Sequence, residues 1–79
     1  QVLLACVRLG VFELLRDGPL PVAELARRTD LGPDAARTLL RAATALRLTE
    51  ARGADRYGLG PLGAAVLGNA GITAMIEHH

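Results

Sequence analysis

The architecture of this chain is indicated most clearly by residues 22–51, which read VAELARRTDLGPDAARTLLRAATALRLTEA. Val22–Arg28 predicts a short helix, with Glu24 in its first turn and two arginines in its last turn, as the helix dipole favours. Thr29–Gly32 is typical of a turn, and Pro33 suits the first position of a second helix, where its missing N–H does no harm. A helix, a short turn and a second helix form the helix-turn-helix pattern.

The second helix of this pair is predicted to run from Pro33 to Leu46 and to bury one face. Apolar side chains recur at helical spacing and predict the buried face: Ala36, Leu39, Leu40, Ala43 and Leu46. Arg37, Arg41 and Thr44 should lie on the opposite side.

A β-hairpin is predicted directly after this helix. Leu48–Ala51 and Arg56–Leu59 read as short strands, joined by the polar loop Arg52–Asp55. A hairpin in this position is the wing of a winged helix. Leu20–Pro21 is a short extended link and a candidate further strand of the same sheet.

The segments after the wing complete a mainly α, winged helix-turn-helix fold of about five helices. Leu62–Leu67 predicts a fourth helix, which Gly60-Pro61 opens and Gly68 closes, and Ile72–His79 begins a fifth. We expect one domain over residues 1–79. Because the chain starts and stops inside predicted helices, we also expect it to be part of a longer protein.

The first predicted helix, Val2–Arg16, is apolar on all sides. A helix of this kind is buried all round, and one core of a 79-residue domain cannot surround it. A second copy, or further chain, should cover its other face. Gly10 inside it indicates a close helix–helix approach or a tolerated glycine. The predicted dimer interface contains Val2, Leu3, Leu4, Cys6 and Val7.

Composition excludes several classes of function. Nine arginines and eight acids leave a net charge of +1, too weak a field to favour nucleic acid. No apolar stretch approaches the roughly 18 residues of a membrane span, so we expect no membrane partner. Cys6 is the single cysteine, which fits a reduced, cytoplasmic setting, and it is expected to be a buried, inert thiol.

Few side chains could carry chemistry. Arg37 and Arg41 could contact DNA, but a solvated face in which Asp34 pairs with Arg37 is favoured. The adjacent His78 and His79 would point about 100° apart on a helix, so we expect no metal site. Neither a catalytic triad nor a phosphate-binding loop can be assembled, and we predict no catalytic residue in this chain.

Five segments together carry a resemblance to a known family. They are Leu9–Leu15 (LGVFELL), Val22–Ala26 (VAELA), Leu39–Leu46 (LLRAATAL), Tyr57–Gly63 (YGLGPLG) and Ala74–His79 (AMIEHH). In this order and spacing the chain resembles the N-terminal domain of bacterial relatives of plant caffeate-type O-methyltransferases, and the resemblance spans essentially all 79 residues.

The resemblance implies a homodimerisation domain that does not bind DNA. It implies that the last helices help to enclose a small hydroxylated aromatic or polyketide acceptor, with Met75, Ile76 and His79 as substrate-contacting residues. S-adenosylmethionine would be held by a following Rossmann-like domain, so this chain would bind no cofactor itself. The family often has glycine where Arg47 stands, which puts a left-handed helix cap there in doubt.

Two alternatives remain open at this point. One is the DNA-binding winged helix of a bacterial transcriptional regulator. The other is a pure assembly domain that takes no part in the acceptor pocket.

Overall fold

The computed structural model describes residues 1–69, in which five helices surround a small antiparallel sheet. The winged helix-turn-helix prediction is confirmed, and the predicted helix over Ile72–His79 lies outside the described residues. The elements in chain order are α1 (Val2–Leu9), α2 (Val11–Leu14), β1 (Leu20–Pro21), α3 (Val22–Thr29), α4 (Pro33–Ala45), β2 (Thr49–Ala51), β3 (Arg56–Leu59) and α5 (Pro61–Leu67).

The first helix is interrupted at Gly10, so the prediction of one helix over Val2–Arg16 is wrong. Gly10 adopts φ +72° and ψ 26°, a left-handed conformation that ends α1 and that glycine tolerates best. A Cβ built at Gly10 would meet no atom within 4 Å. Glycine is therefore required by the backbone turn, and neither a close helix approach nor a tolerated interior glycine describes it.

The first helix of the helix-turn-helix, α3, packs as its periodicity predicts. On α3, Val22, Leu25 and Ala26 are buried and the side chains of Arg27 and Arg28 are exposed.

An ion-pair cluster lies on the outer surface of α3. The Glu24 carboxylate accepts hydrogen bonds from Arg27 Nη2 and Arg28 Nε, each at 2.6 Å. These bonds, first that of Arg27 and then that of Arg28, lower the pKa of Glu24 from 4.5 to about 2. The cluster therefore keeps its charges over the whole physiological pH range.

The buried face of α4 is shorter than predicted. Ala36, Leu40 and Ala43 are buried, but Leu46 is 51% exposed, so its predicted burial is wrong. The helix ends at Ala45, and Leu46 therefore no longer follows the helical repeat. Leu48, two residues further on, is buried in the core instead.

Thr44 was also predicted on the solvent side of α4, and this is wrong. It is half-buried, and its hydroxyl donates to Leu40 O at 2.8 Å. It also lies 2.9 Å from the hydroxyl of Thr49, which is fully buried in β2 and bonds Leu40 O at 3.2 Å. These hydrogen bonds connect the first strand of the wing to the last turns of α4.

Arg47 forms a left-handed cap although it is not glycine. Its φ is +62°, its N–H donates to Thr44 O at 3.0 Å, and Leu48 N–H donates to Ala43 O at 2.9 Å. This pair of bonds is the Schellman arrangement. The cap that the sequence left in doubt is therefore present. The left-handed conformation of a non-glycine residue destabilises the fold by roughly 1–2 kcal/mol.

The sheet has the strand order β1-β3-β2, with both pairings antiparallel. Leu20 pairs with Tyr57 and Thr49 pairs with Leu59, which confirms the candidate strand at Leu20–Pro21. The carbonyl of Asp55, in the wing turn, accepts the N–H of Val22 at 2.7 Å. The wing is thus held against the start of α3.

Candidate interaction surface

The predicted dimer interface is divided by the structure between the core and the surface. Cys6 is 0% exposed, in the core of its own chain. Val2, Leu3 and Val7 are half-buried and pack against that core. Leu4 is also half-buried but is not among the side chains packed on the core. Of the five predicted interface residues, Leu4 is the one that lines an open groove on the outer side of α1.

The outer face of α1 is defined by five residues that line this groove: Gln1, Leu4, Ala5, Arg8 and Leu9. Their spacing is i, i+3, i+4, i+7 and i+8, which places them on one side of a helix. Of these five residues, only Leu4 was predicted to lie at the dimer interface. The others were missed because a helix that is apolar all round does not reveal which side its own chain covers.

The outer face is apolar at its centre and positive at one end. Arg8, in the last turn, is its only charged side chain, and α1 contains no acidic residue. Gln1 caps the other end, where its Oε1 accepts the Leu4 N–H at 2.7 Å. Leu9 also packs against the core of its own chain, so the face offers mainly Leu4 and Ala5, both half-buried, for contact without a buried charge.

The Cys6 thiol takes no part in this surface. Burial raises its pKa from 9.0 to about 11, so it stays protonated at neutral pH. The predicted burial of the thiol is confirmed.

The face of the helix-turn-helix that would meet DNA is neutralised locally. Arg37 Nη1 lies 3.6 Å from Asp34 Oδ1, as predicted, and Arg37 Nη2 lies 3.3 Å from Asp55 Oδ2 of the wing. The second partner was not predicted, because it is 18 residues away in sequence. With two carboxylates at one guanidinium, this surface favours no phosphate contact.

Two further exposed leucines lie near the point where the start of α5 is hydrogen-bonded to the chain just after α4. Leu46 is 51% exposed and Leu62 is 52% exposed. The N–H of Leu62 donates a hydrogen bond to the carbonyl oxygen of Arg47, the residue that follows Leu46, at 3.0 Å. We call Leu46 and Leu62 the α4–α5 patch.

The predicted acceptor-contacting residues, Met75, Ile76 and His79, lie outside the described residues, as does His78. Within residues 1–69, no three His, Cys, Asp or Glu side chains are grouped to hold a metal ion. Over the same range, none of the helices has the length and hydropathy of a bilayer-crossing segment.

Comparison with known proteins identifies relatives that are much longer than this chain. Demethylspheroidene O-methyltransferase of Cereibacter sphaeroides is 40% identical over 79 residues, which is 100% of this chain and 21% of the relative. Tetracenomycin polyketide synthesis 8-O-methyl transferase TcmO of Streptomyces glaucescens is 42% identical over 57 residues, which is 72% of this chain and 17% of the relative. The chain spans about a fifth of the length of these enzymes.

Solved structures share the fold. Mitomycin 7-O-methyltransferase MmcR superposes with a TM-score of 0.87 at 26% identity, over 96% of this chain and 23% of that one. The dimethyltransferase RosA of Streptomyces davawensis, which acts on 8-amino-8-demethyl-D-riboflavin, gives a TM-score of 0.76 at 39% identity, over 78% of this chain and 18% of that one.

The match to a family model covers all of the described residues. The model of the O-methyltransferase dimerisation domain matches residues 1–69, the same residues that form the winged helix. Together with the 40% identity over the full length, this match shows that the chain belongs to the O-methyltransferase dimerisation domain family.

Proposed function

We propose that this domain joins two copies of an S-adenosylmethionine-dependent O-methyltransferase through the outer face of α1. The observation that carries the proposal is the apolar surface of Leu4 and Ala5 on the outer face of α1, in a domain of the dimerisation family. A surface of this kind is stabilised when a partner covers it, since each buried square ångström of apolar surface contributes about 25 cal/mol.

The substrate class of the whole enzyme is proposed from its relatives. Enzymes named for demethylspheroidene and for a tetracenomycin polyketide are 40–42% identical to this chain over the matched residues. We therefore propose a small hydroxylated aromatic or polyketide acceptor and a cytoplasmic enzyme. S-adenosylmethionine supplies the methyl group when it is bound by the remainder of the protein, and the 79 residues bind no cofactor themselves.

The contribution of this chain to the reaction is positioning. We propose that Met75, Ile76 and His79 contact the acceptor, exclude water from it and hold its hydroxyl in line with the methyl donor. No residue of the chain is assigned a proton-transfer step. A DNA-binding role is not proposed, because the comparisons give no support to a regulator and Arg37 is paired with two carboxylates.

The dimer is tested by placing a charge on the outer face of α1. The variant Leu4→Asp should change the protein from dimer to monomer in size-exclusion chromatography with light scattering, since pairing would remove a carboxylate from water at an apolar contact. The matched control is Leu62→Asp, which places the same charge on the exposed α4–α5 patch and should leave the dimer intact. A dimeric Leu4→Asp protein with an unchanged circular dichroism spectrum would place the interface elsewhere.

The acceptor pocket is tested in a full-length enzyme that carries this domain. Met75→Ala should raise the KM for the acceptor by about 10-fold or more, the usual effect of lost apolar pocket contacts, and leave the KM for S-adenosylmethionine unchanged. Leu62→Ala is the control and should change neither constant. Unchanged constants for Met75→Ala would favour a pure assembly domain.

A further inference from the structure

We draw no further inference here: the strongest candidate, the α4–α5 patch of the half-exposed Leu46 and Leu62 beside the start of α5, carries no proposal, because nothing in the structure of residues 1–69 shows what covers it.

Discussion

The variant Gly63→Ala is expected to destabilise the domain by about 3 kcal/mol or more, the upper range for overpacking a well-filled core. A Cβ at Gly63 would overlap the carbonyl oxygen of Leu48 and would lie 3.2 Å from Phe12 Cδ1. The oxygen belongs to the backbone and cannot rotate away as a side chain could.

The helix that carries Gly63 cannot easily move to relieve the overlap. Gly60 N–H donates to Leu48 O and Leu62 N–H donates to Arg47 O, each at 3.0 Å, so the start of α5 is hydrogen-bonded to the chain between α4 and β2. Withdrawing α5 would break these bonds and expose Phe12 and Val66, which are both buried.

Urea unfolding followed by circular dichroism measures this effect. The matched control is Gly68→Ala at the end of the same helix, where φ is −79° and the nearest atom to a Cβ is Ala64 O at 3.5 Å. The control should change the free energy of unfolding by no more than about 0.5 kcal/mol. Equal stabilities for the two variants would mean that α5 does not sit this close to Leu48. Because stability of a dimer depends on concentration, both are compared at one protein concentration.

The variant Leu40→Ala should lower the free energy of unfolding by about 2–5 kcal/mol, from lost apolar burial and the cavity left behind. Leu40 is 2% exposed and lies near the middle of α4, the helix that packs against α1, α3 and β2. A loss of this size is a large fraction of the roughly 5–15 kcal/mol that stabilises a domain.

Leu46→Ala is the matched control for this variant. Both leucines were predicted on the buried face of α4, but Leu46 is 51% exposed and should cost less than about 1 kcal/mol in the free domain. The same urea titration distinguishes the two positions. A large loss at Leu46 would indicate that a partner covers the α4–α5 patch in solution.

Local sequence determined the central part of the fold. Pro33 and Pro61 each stand at the first position of a helix, and the alternation of short strands with Arg52–Asp55 between them predicts the wing. These features were predictable because each depends on a proline, a turn or a periodicity within a few residues. The resemblance of the same segments to methyltransferases likewise predicted the family.

Long-range packing decided the rest. Gly10 inside an apolar stretch is compatible with one helix or two, and the break occurs where α1 packs on α4 while α2 packs on α3 and α5. The ion pair of Arg37 with Asp55 depends on how the wing folds back on α4. The outer face of α1 could not be predicted from the sequence, because the helix is apolar on all sides. In the structure, Cys6, Val2 and Val7 contact the core, and Leu4 and Ala5 therefore lie on the other side. The sequence specifies which residues are apolar. Which of them are buried depends on which helices and strands pack together, and only the tertiary structure determines that packing.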